Sequence, residues 1–321
     1  MKKSFFTTFL LVLPVLIFLP SCSIKKLAMN QVANALTAQT SSTVFSGDND
    51  PELVGDALPF AIKLYESLMA GNPGHIGLRL RTGSLYIMYA NAFLQAPALM
   101  LSASEFKLQE FNYQRAKNLY LRGRDIILEA LERKHPGFKQ LLQNKKYAQA
   151  LSATGKKDVP LLYWAGAGWL GAYAINPFDM DLGMTMPAAA ALMDRVLGLE
   201  ANYANGAIHE FYVLYYGSLP DYMGGSLQKA RDHFKKAIAL SAGKSSTPYI
   251  ALATTVAVKE QNFSEFQSLL EQALAIDPDA DPENRLLNIL NHRKALWLIE
   301  HADDFFLETD TGNGENKEQG S

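Results

Sequence analysis

Few groups of residues in this chain have the types and spacing that chemistry needs. Gly166-Ala167-Gly168-Trp169-Leu170-Gly171 carries the literal G-x-G-x-x-G spacing that lets a backbone approach a pyrophosphate. That use demands a strand before the glycines, a second strand after the helix and an acidic residue about twenty positions on. Here the flanks read as helix, and Asn176-Pro177 interrupts the segment too soon. The glycines are expected to serve close helix packing, not a dinucleotide. Asp277 to Glu283, DPDADPE, opens like a calcium-binding loop. It has Pro282 where the sharp turn needs glycine and Asn288 where the bidentate glutamate belongs. It reads better as an inter-helix turn whose aspartates cap helix starts. The histidines at 75, 135, 209, 233, 292 and 301 follow no metal-ligand spacing, and there is neither a nucleophile elbow nor a phosphate loop. We therefore assign no catalytic residue, no metal and no cofactor, and expect a protein that is not an enzyme.

The remaining candidates are aromatic. Tyr163, Trp164, Trp169 and Tyr173 form one group, and Phe211, Tyr212, Tyr215, Tyr216 and Tyr222 the other. Helical spacing puts Trp169 and Tyr173 on one face, and Tyr212 with Tyr216 on another. Stripes of this kind ordinarily pack a core. The functional alternative is an apolar channel in which a few hydroxyls orient a hydrophobic ligand. On that alternative the ligand-binding candidates are Trp164, Trp169, Tyr173, His209, Tyr212 and Tyr216, with His209 either lining the cavity or serving as a core or surface histidine.

The single cysteine sits at the end of an export signal. Lys2 and Lys3 form a positive start, and Phe5 to Leu19 is apolar apart from Thr7 and Thr8. Pro14 and Pro20 make the run a poor spanning helix. Leu19-Pro20-Ser21-Cys22 resembles the lipobox of bacterial lipoproteins, although Pro20 departs from its tightest form. The expectation is a signal peptide over 1–21, cleavage, and acylation of Cys22. Acyl chains worth ~0.8 kcal/mol per buried CH₂ would then hold the protein on a membrane. Losing Lys2 and Lys3 takes the formal charge from −2 to −4, and no basic run suggests nucleic acid. With its one thiol acylated, the mature chain has no disulfide to rely on.

The elements that must position these residues are helices. From Phe106 to Leu131, apolar or small residues fall at 106, 113, 116, 120, 123, 127 and 130, one stripe of a long amphipathic helix. Breakers such as Gly71-Asn72-Pro73-Gly74, His135-Pro136-Gly137, Asn176-Pro177 and Leu219-Pro220 divide the rest into helix-sized pieces. A repeat is visible: Ala230, Phe234 and Ala237 have the spacing of the second helix of a tetratricopeptide (TPR) unit. Phe266, Leu270 and Ala273 repeat it 36 residues later. Ala61, Tyr65 and Leu68 match the register, and Ala190 with Leu197 is a weaker copy. The expected fold is all-α, an irregular TPR-like helical stack over 22–308. The helix from Glu283 to Phe306 would pack across its end as a cap, before a polar tail at 309–321. Ser41 to Asp50 is expected to be a polar loop after a first helix.

Four blocks in order resemble a known family: LYLRGRDIILEALERKHPGF, VPLLYWAGAGWLGAY, GAIHEFYVLYYGSLP with MGGSLQKARDHFKKAIALS, and PENRLLNILNHRKALWLIEHADDFF. They look like the TatT family, the TPR-containing lipoprotein T component associated with TRAP transporters. The resemblance implies an all-helical subunit, lipid-anchored in the bacterial envelope and facing the periplasm. It also implies assembly as a homotrimer, a DctP-like periplasmic solute-binding protein as partner, and a pore-like cavity for a small hydrophobic solute. Ser23 is compatible with outer-membrane sorting, and the anchor stays open between outer and inner membrane. Two other readings stand beside this one: a stand-alone carrier of lipid-like ligands, and an envelope-assembly TPR lipoprotein.

Overall fold

Polar caps and helix breakers set the boundaries. The computed structural model describes residues 21–38 and 43–307, with the backbone alone for 21–27. The expected signal segment up to residue 20 and the tail at 309–321 lie outside the described residues. The helices are α1 (Ser21–Thr37), α2 (Pro51–Gly71), α3 (Ile76–Ala90), α4 (Phe106–Lys134), α5 (Phe138–Gln143), α6 (Tyr147–Leu151) and α7 (Val159–Ile175). Then follow α8 (Met180–Leu199), α9 (Ala207–Ser218), α10 (Leu227–Leu240), α11 (Thr247–Leu252), α12 (Phe263–Leu274) and α13 (Arg285–Glu300). A helical turn at Thr43–Ser46 lies within the stretch expected to be a loop, and π turns at Asn91–Gln95 and Ala253–Ala257 prolong α3 and α11. Among the described residues there is no strand.

Asp50, His75, Asp179, Ser226 and Asn262 each accept a hydrogen bond from the N–H three residues on, starting α2, α3, α8, α10 and α12. Asp277 likewise accepts from the N–H of Asp279 (2.9 Å), and Asp281 from Glu283 (3.1 Å), so the DPDADPE segment is a capped turn. The α4 stripe is buried at Ala116, Tyr120, Gly123, Ile127 and Ala130, while its first member, Phe106, stays 61% exposed.

Consecutive helices pair, α3 with α4, α7 with α8, α9 with α10 and α11 with α12. Small residues make the pairs close. Ala230 and Ala237 are fully buried on α10, and Phe234 meets Tyr249 edge-on at 5.4 Å. Where α3 crosses α4, a Cβ on Gly123 would lie 2.6 Å from the Gly83 carbonyl oxygen, so two backbones meet with no side chain between them. The glycine triplet lies within α7 and serves the same purpose: a Cβ on Gly171 would stand 2.4 Å from the Tyr120 ring.

The first member of each pair touches the first member of the next. The sequence α2–α3–α7–α9–α11–α13 runs on, and α13 returns to α2. The helices α4, α8, α10 and α12 make no comparable contact with one another, so they ride on the larger circumference and the first series is the inner ring. The last helix therefore does more than cap a stack. Leu286 joins the core of Val54, Leu58 and Ile62, Arg285 donates to the Gly47 carbonyl (2.9 Å), and Arg293 pairs with Glu52 (2.5 Å). Its apolar second face, Leu286 and Leu290, is what lets it close the ring instead of ending it.

Candidate functional site

The α9–α10 pair brings the second aromatic group together. Tyr212 and Tyr216, one turn apart, stack at 5.4 Å with planes 19° from parallel. His233 enters from α10, 4.6 Å from the Tyr212 ring, and its Nδ1 lies 2.8 Å from Nδ1 of His209. Two nitrogens that close share one proton, so one ring donates and the other accepts. Burial, reinforced by His209 and Lys236, pushes His233 down to about 4, and burial with Lys236 lowers His209. The pair is neutral near pH 7. Tyr212 donates its hydroxyl to Asp194, and burial followed by that carboxylate raises its pKa.

Three more ionisable groups stand on inner-ring helices. Tyr163 on α7, Glu210 on α9 and Lys294 on α13 are each half-buried, and burial shifts the pKa of each toward its neutral form. Each belongs to a half-open stripe with helical spacing: Tyr163, Trp164 and Ala167; Ala207, Glu210 and Leu214; Leu287, Asn291 and Lys294. All three stripes are on inner-ring helices. Burial raises Glu210, with the Ser245 hydroxyl donating to it at 2.7 Å and partly offsetting the rise. Tyr163 packs on Tyr203 at 5.1 Å and edge-on to Trp164 at 5.7 Å. Lys294 has no hydrogen-bond or ion-pair partner among the described residues, and burial lowers its pKa.

The other two candidates point elsewhere. Trp169 opens into an outer cleft of about 810 Å³ along α4, where its Nε1–H donates to Thr185 (2.8 Å) and Arg124 lies over its ring at 4.7 Å. Tyr173, near the end of α7, meets the Met223 sulfur at 3.7 Å. Of the six expected residues, then, His209, Tyr212 and Tyr216 form one cluster, Trp164 packs edge-on to Tyr163, and Trp169 and Tyr173 stand apart. Sequence reasoning missed His233 and Lys294. His233 carried a signal, since it sits between Ala230 and Ala237 on the buried stripe of α10, whereas a lone lysine on a helix carries none.

The span that matches a known family is the ring itself. A family model described as the TRAP transporter T-component covers residues 47–306, from the turn before α2 to just past α13. The chain belongs to the TRAP transporter T-component family. An uncharacterized protein of Treponema pallidum (strain Nichols) is 36% identical over 302 residues, covering 89% of this chain and 94% of the relative. A T-component is a TRAP-associated subunit of the cell envelope, a transporter part and not an enzyme family. Among the described residues no helix is long and apolar enough to cross a membrane, and no three His, Cys, Asp or Glu gather as metal ligands would.

Proposed function

We propose that this T-component is a lipid-anchored subunit facing the periplasm. It holds a small hydrophobic solute inside the helix ring and exchanges it with a DctP-like solute-binding protein docked at the ring's mouth. The observation that carries this reading is the closed ring with half-open side chains on three of its inner walls. A cavity walled by aromatic and aliphatic side chains with a few polar groups suits an apolar solute. The neutral His209–His233 pair and the stacked Tyr212 and Tyr216 keep the wall behind it rigid and uncharged.

Exposed apolar side chains supply the docking face. Phe178 is 91% exposed, Tyr222 88% and Met180 76%, where α7 ends, α8 begins and α9 turns into α10. Large apolar groups held in solvent favour a protein partner. The helix pairs are TPR-type units, a scaffold that presents broad preformed surfaces. Acylated Cys22 at the start of α1 would tether the ring to the envelope, and three protomers would assemble.

The test is to mix the protein, expressed from Cys22 onward, with a DctP-like solute-binding protein from the same organism and follow the complex by size-exclusion chromatography with light scattering. A stable complex on a trimeric T-component is expected, weakened about tenfold or more by Phe178→Ser with Tyr222→Ser. No complex at micromolar concentrations would overturn docking. An apolar ligand seen in native mass spectra without any receptor binding would put the stand-alone carrier in its place.

A further inference from the structure

The charged groups of this protein are not all accounted for in the same way. Asp158 is paired with Lys134 and His135, Glu66 with Lys63 and Arg122, and Arg231 with Glu260 and Glu265. Glu210 is held by the Ser245 hydroxyl. Lys294 differs from all of these, being half-buried on α13, a helix of the inner ring, and without a hydrogen-bond or ion-pair partner among the described residues. Its neighbours on the same helix face are Leu287 and Asn291, and Asn291 already donates to Ser246 and Thr247 at 3.0 Å each. Leu298, one turn on, is fully buried.

We propose that Lys294 is the anchor for the carboxylate of the solute, so that the ligand of the ring is an amphiphilic monocarboxylic acid with its apolar body along the lumen wall. The inference rests on the lumen reading given above. An ammonium taken out of water without a counter-charge is costly, and an incoming carboxylate removes that cost by charge-assisted hydrogen bonding. One lysine is a point charge suited to one carboxylate. A second carboxylate on the ligand would find no second cation among the partly buried groups described above, since Glu210 is an acid and Tyr163 a neutral phenol. Leu287 and Leu214 offer apolar surface on two walls for the remainder of the ligand.

The experiment titrates the protein with cis-parinaric acid and with its methyl ester, following probe fluorescence, for the wild type, Lys294→Met and Lys294→Arg. The wild type should bind the acid about 10- to 100-fold tighter than the ester, the range of one hydrogen bond to a charged group. Lys294→Met should bring the acid down to the ester's affinity and leave the ester unchanged, while Lys294→Arg keeps most of the preference. Equal binding of acid and ester by the wild type, or an unchanged ratio in Lys294→Met, overturns the inference and leaves an apolar lumen standing. Binding of neither probe overturns the lumen reading and this inference together. The wild-type comparison needs no variant to fold, and thermal unfolding by circular dichroism checks the two that are made.

Discussion

The two sides of the ring are held together by different means. On the α3–α4–α7 side, backbones touch: Gly83 against Gly123, and Gly171 under the Tyr120 ring. On the α9–α11–α13 side, polar side chains do much of the joining, beside one close approach of Gly217 to Thr255. Asn288 accepts from the N–H (3.0 Å) and hydroxyl (2.8 Å) of Ser246 and donates to the Lys244 carbonyl (2.9 Å). The His209–His233 pair, Glu210 and Lys294 all lie on this second side. A glycine crossing tolerates no change of shape but is indifferent to pH. A polar wall is sensitive to proton and charge, which is what a ligand site needs. One side is therefore a frame, and the other is the one we propose to carry the site.

The largest expected effect breaks the frame. Gly123→Leu would force a side chain into the Gly83 backbone and should cost about 3 kcal/mol or more, read as a fall in the urea midpoint. Next, Asn288→Ala leaves the buried Ser246 N–H without its acceptor and takes the donor from the Lys244 carbonyl. It should cost roughly 2–3 kcal/mol by the same measurement and loosen α13 from α11.

Acid should distinguish the two sides. The folded state holds His233 at about 4, below its ordinary 6.5. Between those values the unfolded chain binds a proton that the folded chain refuses. Stability is full above about 6.5 and falls as the pH drops toward 4, by on the order of 1 kcal/mol after screening. Replacing His233 with Phe should flatten that fall between pH 7 and 5. Glu210 has the opposite sign. Its folded pKa lies above 4.5, so the unfolded chain loses its proton first and stability declines as the pH rises past that value. Glu210→Gln should remove this decline, read in thermal melts as a smaller loss of stability between pH 5 and 8.

Much of the frame was legible in the sequence. The Phe106–Leu131 stripe predicts α4, and its buried members are where the spacing puts them from Ala116 onward. The G-x-G-x-x-G triplet reads as close helix packing because nothing strand-like precedes it, and the helix around it bears this out. Tyr212 and Tyr216 stack as their four-residue spacing requires. The other side was harder to read. A helix apolar on most faces, as α13 is, does not say which neighbours it meets, so its closure onto α2 could not be read from periodicity. The His209–His233 contact depends on how α9 and α10 slide past each other, which residue types do not encode. Lys294 has the composition of any solvated helix position, and only the packing of α13 among its neighbours makes it half-buried.

The most direct test of the central claim, that the ring encloses a ligand-holding lumen, is a crystal of the protein grown with 9,10-dibromostearic acid, read by bromine anomalous scattering. The account predicts bromine inside the ring, between α9 and α13, with the acid end at Lys294. Bromine confined to the outer cleft beside Trp169 and Arg124 would contradict it.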